Sequence, residues 1–154
     1  MILVKQVGVY VNILNCRLKK YLAEVFKKKH VNLTAEQYLV MDTLCNEGTL
    51  TQHAIAFIIQ KDKNSVTQFI DNLEKKGLVT RSVAKEDRRV NNIMVTPEGM
   101  ALKDSTKQLA IETMETVTKG ISEEDLKTCV AVLKKICDNI NAFGKSSEEI
   151  ILEG

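Results

Sequence analysis

Apolar residues in this chain change their period twice, and the changes mark out its parts. Val4, Val7, Val11, Leu14, Leu18, Tyr21 and Val25 recur at spacings of three and four, which predicts one long helix with an apolar seam that a partner helix would cover. Lys27, Lys28 and Lys29 close it, where cations suit the negative end of the helix dipole, and His30 ends it. Thr34-Ala35-Glu36-Gln37 reads as a capping box opening a second helix, with Tyr38, Met41, Leu44 and Cys45 inward and Gly48 as its stop. Thr51 caps a short third helix carrying Ile55, Ala56 and Ile59. Asp62 caps a fourth, whose Val66, Phe69, Ile70 and Leu73 form one stripe before Gly77.

Beyond Gly77 the pattern turns to β. Leu78–Ala84 and Val90–Thr96 are rich in β-branched residues and bracket the charged run Lys85-Glu86-Asp87-Arg88-Arg89, as a hairpin would. Thr96-Pro97 then starts a fifth helix, with the hydroxyl as cap and the single proline at the first helical position. Leu102, Leu109, Ala110, Met114 and Val117 are its expected inward positions, and Gly120 its end. Ser122 opens a last helix in which Leu126, Cys129, Leu133, Ile136, Ile140 and Phe143 repeat the helical spacing. The tail from Gly144 is polar up to Ile150-Ile151-Leu152, which could dock. The fold class is therefore mainly α with a small β-hairpin wing.

Two short helices followed directly by a hairpin are the layout of a winged helix-turn-helix. On a helical wheel of the fourth helix, Asn64, Gln68, Asp71 and Lys75 lie opposite Val66, with Ser65 and Thr67 flanking. This outer face is mostly short amides and hydroxyls, where long Glu and Lys would be the usual surface filler. A helix of that width fits the major groove, where Asn and Gln can both donate to and accept from adenine. Arg88 and Arg89 at the hairpin tip, with Lys85, are placed for phosphate or the minor groove. A carboxylate there opposes phosphate, so Asp87 is expected to pair with Arg81 or Arg89 and shape the wing. Asp71, on the outer face itself, opposes phosphate unless it accepts from a cytosine amine.

Charge and composition add less. The chain has 154 residues, 44% hydrophobic and 27% charged, with a net charge of +2, which fits a globular protein and argues only weakly for nucleic acid. The acidic excess lies after residue 100 and the basic excess before it, which permits one basic face. Cys16, Cys45, Cys129 and Cys137 form no C-x-x-C pair and sit in helical patterns, so they are expected to be reduced, buried thiols of a cytoplasmic protein. No apolar run is long enough for a signal peptide or membrane span. Neither a phosphate-binding glycine loop nor a nucleophile–base set appears, and His30 and His53 lie far apart. An enzyme, a cofactor and a metal site are therefore not expected.

The runs Leu50-Thr51-Gln52-His53-Ala54-Ile55-Ala56, Asn64 to Val79, Arg81, Glu86-Asp87-Arg88-Arg89 and Val95-Thr96-Pro97-Glu98-Gly99 resemble the signature of the MarR family of regulators. The resemblance covers about a third of the chain. It implies a bacterial homodimer whose dimerisation region comprises residues 1–33 and 97–154. A DNA-binding lobe, residues 34–99, would read a pseudo-palindromic operator. Thr51 and Gln52 would join Asn64, Ser65, Thr67, Gln68, Lys75, Lys85, Arg88 and Arg89 as DNA contacts, with Arg81 and Asp87 shaping the wing. Many members of the family repress transcription and release DNA on binding a small aromatic or lipophilic effector, and others sense oxidants through cysteine. The chain departs from the pattern at Gln60 and Lys61, where glycine and an apolar residue are usual, which predicts a more open or more polar turn. It also carries Tyr10 where the peroxide-sensing branch has its cysteine, leaving Cys16 as the nearest thiol. The rival reading is a winged-helix module for protein–protein assembly that reads no DNA.

Overall fold

A computed structural model describes residues 2–83 and 85–143, without the side chains of residues 142 and 143. The expected docking of Ile150-Ile151-Leu152 falls outside the described residues, as does the side chain of Phe143. The elements run α1 (Leu3–Lys28), α2 (Ala35–Glu47), β1 (Leu50–Thr51), α3 (Gln52–Ile59), α4 (Lys63–Lys75), β2 (Val79–Val83), β3 (Asn91–Val95), α5 (Pro97–Val117) and α6 (Glu123–Phe143). Each cap expected from the sequence forms. Thr34 and Gln37 close a full capping box, and Thr51, Asp62 and Thr96 each accept from a backbone amide three residues on. The Ser122 hydroxyl accepts from Asp125 at the start of α6.

Three helices stop in the same way. One residue just past the last turn is left-handed, and the next amide reaches back five residues: Val31 to Phe26, Lys61 to Ala56, Leu78 to Leu73. Glycine fills the left-handed position once, as Gly77, whereas His30 and Gln60 hold φ 58° and 56° with full side chains. The turn between α3 and α4 thus keeps a standard helix stop and is not more open. Its polarity is real, since Gln60 folds back and donates to the Phe57 carbonyl at 2.7 Å.

The hairpin expected from the sequence gains a third strand. β3 lies at the centre of a β1-β3-β2 antiparallel sheet, with Leu50 opposite Ile93 on one side and Arg81 opposite Ile93 on the other. Two residues are too few for a period, so β1 leaves no trace in the hydrophobic pattern. Its pairing ties the start of α3 to the wing.

One core unites Phe26, Leu33, Val40, Met41, Leu44, Ile55, Val66, Ile70, Leu73, Leu78, Val79 and Ile93, drawing on α1, α2, α3, α4 and the sheet. Phe26 packs edge-to-face on Tyr38 at 5.5 Å. At Gly99 the start of α5 passes so close to the Leu78 carbonyl and Val95 that no Cβ would fit.

Outside that core two of the inward positions expected in α5 fail. In α5 the buried side chains are Thr106 and Thr113, whose hydroxyls donate to the Leu102 and Leu109 carbonyls, while Met114 and Val117 are exposed. The seam of α1, expected to be covered by a partner helix, leaves Val4, Val7, Val11, Leu14 and Tyr21 exposed in the single chain, and in α6 Cys129, Leu133 and Ile140 are exposed too. Cys16, Cys129 and Cys137 are likewise exposed and Cys45 is half-buried, so the thiols are not the buried set expected. The physical reason is common to all of them. Periodicity identifies an apolar face but not what covers it, and one chain leaves these faces bare.

Candidate nucleic-acid interface

α4 is held by its inner face and its two ends. Val66, Ile70 and Leu73 are fully buried, which fixes the roll of the helix and turns Asn64, Gln68 and Lys75 outward into solvent. At the start, Asp62 accepts from the Ser65 amide at 2.8 Å and from its hydroxyl at 2.7 Å; these bonds hold the carboxyl below its usual range. Ser65 therefore serves the cap, though its oxygen can still accept. At the other end, Lys76 donates to the Asn32 carbonyl and the Gln37 amide oxygen, both at 2.8 Å, anchoring α4 to the start of α2.

Thr67 and Gln52 prove to be partners. The Gln52 amide donates to the Thr67 hydroxyl, which itself donates to the Lys63 carbonyl at 2.9 Å. The bond links α3 to α4 and leaves both side chains half-buried beside the exposed row. Thr51, the cap of α3, is half-buried too. The expected contacts thus divide into an exposed set (Asn64, Gln68, Lys75, Lys85, Arg88, Arg89) and a partly engaged set (Thr51, Gln52, Ser65, Thr67).

In the wing, Asp87 accepts from the Arg89 amide at 2.9 Å and from its guanidinium at 3.2 and 3.3 Å. These hydrogen bonds, the guanidinium's first and then the amide's, hold the Asp87 carboxyl below the usual range. The pair closes the turn while the Arg89 side chain stays 91% exposed. Arg81 has no part in this, which corrects one of the two pairings expected for Asp87. In β2, alternation sends Arg81 to the same face as Val79, toward α4 and away from the wing tip. There its guanidinium meets Asp71 at 2.6 Å, Glu74 at 3.4 Å and the Thr67 carbonyl at 3.4 Å. Strand alternation was the signal for this contact. Its three partners lie on another element, where no local pattern could name them.

An open cleft of about 240 Å³ lies between α1, α2 and α5, lined by Leu18, Leu22, Tyr38, Leu39, Ala110 and Met114 among others. Lys19 lies at this cleft and pairs with Glu36 at 3.4 Å. Burial is the main reason the Tyr38 hydroxyl is pushed up to about 12, so it stays protonated and able to donate. Burial also pushes the Cys45 thiol up, which disfavours its thiolate. Among the described residues no group of three or more His, Cys, Asp or Glu could hold a metal, and no helix is long and apolar enough to cross a membrane.

A helix presenting short polar side chains, seated on a preceding short helix and followed by a three-stranded wing with cationic tips, defines a winged helix-turn-helix. The MarR family profile matches residues 33–90. The regulator SarZ of Staphylococcus haemolyticus is 30% identical over 122 residues, covering 79% of this chain and 80% of that protein. The chain therefore belongs to the MarR family of transcriptional regulators. A transcriptional regulatory protein for the hcr operon of Thauera aromatica is 25% identical over 104 residues, which span 63% of its length. The solved complex of Staphylococcus aureus MepR with DNA superposes with a TM-score of 0.77 at 26% identity, covering 86% of this chain and 96% of that one.

Proposed function

We propose that the protein acts in the cytoplasm as a homodimeric repressor, without enzymatic activity, that binds a pseudo-palindromic operator. The α4 helices of the two protomers would enter major grooves about 34 Å apart, one turn of B-DNA. The wings would follow the backbone, with Lys85, Arg88 and Arg89 near phosphate. Residues 1–33 and 97–154 would form the dimer, and residues 34–99 would form the reading lobe. A small aromatic or lipophilic effector entering the cleft beside Tyr38 would release the DNA.

The observation that carries this reading is the exposed row of Asn64, Gln68 and Lys75 on a helix whose opposite face is fully buried. Such a row can exchange hydrogen bonds with base edges, and the wing adds exposed cations beside it. The solved complex of MepR with DNA supports the same use of the fold.

Fluorescence anisotropy against labelled genomic fragments tests it. One fragment should bind preferentially, with affinity falling steeply as salt rises, because bound phosphates release counterions. Arg89→Ala should weaken that binding while sedimentation still shows a dimer. Equal, weak binding of every fragment at all salt concentrations would favour a protein–protein module instead.

A further inference from the structure

Asp71 stands midway along α4, half-buried at the edge of its outer face beside the exposed row, where a carboxylate would meet DNA phosphate with like charge. Its surroundings show how the helix accommodates it. The Arg81 guanidinium lies 2.6 Å from the Asp71 carboxylate and 3.4 Å from that of Glu74, and its second terminal nitrogen reaches the Thr67 carbonyl at 3.4 Å. The Arg81 side chain is 20% exposed whereas that of Asp71 is 46% exposed, so the cation lies beneath the acid it holds. Glu74 and Thr67 lie on the flank of α4 that faces β2, and the pairing draws Asp71 toward that flank. Asn64, Gln68 and Lys75 are left as the outermost groups.

We infer that Arg81 is a positioning residue that ties Asp71 back against the base of the wing, so that α4 offers DNA its amides and a lysine and no free carboxylate. The inference rests on the DNA-binding reading. Arg81 does two things at once: it cancels charge that would repel phosphate, and it fixes the angle between α4 and the wing by gripping the helix at three points. A planar guanidinium can reach all three, which the single ammonium of lysine cannot.

The test uses the full-length protein and a labelled duplex that the wild type selects from a random-sequence library. Arg81→Ala should lose about tenfold or more in affinity, because it frees a carboxylate beside phosphate. The double variant Arg81→Ala with Asp71→Asn should recover most of that loss. Asp71→Asn alone should bind at least as tightly as wild type with the same base preferences. Arg81→Lys should fall between wild type and Arg81→Ala.

Loss of preference at a single base pair in Asp71→Asn would overturn the inference, since Asp71 would then be reading that base. Failure of the double variant to recover, with a wild-type melting temperature, would also overturn it and make Arg81 a direct DNA contact. Asp71→Asn keeps the guanidinium in place, so it decides the matter even if Arg81→Ala does not fold. A wild type that selects no duplex would instead sink the DNA-binding reading itself, before any variant is compared.

Discussion

The winged-helix lobe and the helices that flank it are built from similar residues, yet only the lobe is finished within one chain. In the lobe, Val66, Ile70, Leu73 and Ile93 are wholly buried, and each α-helix start carries a side-chain cap. In the flanks, Leu14 is 55% exposed and Ile140 65%, and no described side chain of α6 is fully buried. Exposed apolar faces of this extent mark surfaces that another molecule covers. In the proposed dimer this division would supply a reading unit with a closed core, and a second surface that sets the spacing between two such units.

Four substitutions would sharpen or break that contrast. The largest effect is expected in the lobe, where Ile70→Ala should lower unfolding free energy by about 2–5 kcal/mol through transfer and cavity terms. Chemical denaturation monitored by circular dichroism measures this, and a loss under about 1 kcal/mol would show that the site is loosely packed. The next tests the flank. Ile140→Asp should halve the sedimenting mass and abolish the concentration dependence of melting expected of a dimer. An unchanged mass would place the dimer contact elsewhere.

A smaller, local effect is expected at Gln68. Gln68→Ala should cost on the order of 1–3 kcal/mol at one base position and relax preference there, without changing the melting temperature. A uniform loss across sequences would make Gln68 a phosphate contact. The smallest effect is expected at Gln60, which holds φ 56° with a side chain that folds back on Phe57. Gln60→Gly removes the left-handed penalty but loses that hydrogen bond and loosens the unfolded chain, so stability should change by less than about 1 kcal/mol. A larger loss would show that the Gln60 amide holds the turn.

The amino-acid sequence alone determined the order of the six helices, their starts and the buried stripe of α4, because these follow from contacts three and four residues apart. Thr34, Thr51, Asp62 and Thr96 each cap a helix through an amide three residues away, so a short window of sequence contains the whole interaction. The outward row of Asn64, Gln68 and Lys75 was legible for the same reason: it is the complement of Val66, Ile70 and Leu73 on one helix.

Tertiary structure decided the rest. That Arg81 belongs to Asp71 and Glu74 and not to Asp87 depends on β2 lying along α4, a contact between elements. The same holds for Gln52 with Thr67, for Lys76 with Gln37, and for β1, whose two residues are a strand only because β3 lies beside them. The thiols and the seams of α1 and α6 show the limit most plainly. Spacing revealed that those faces are apolar, but burial is a property of what packs against them, and among the described residues most of these positions stay exposed.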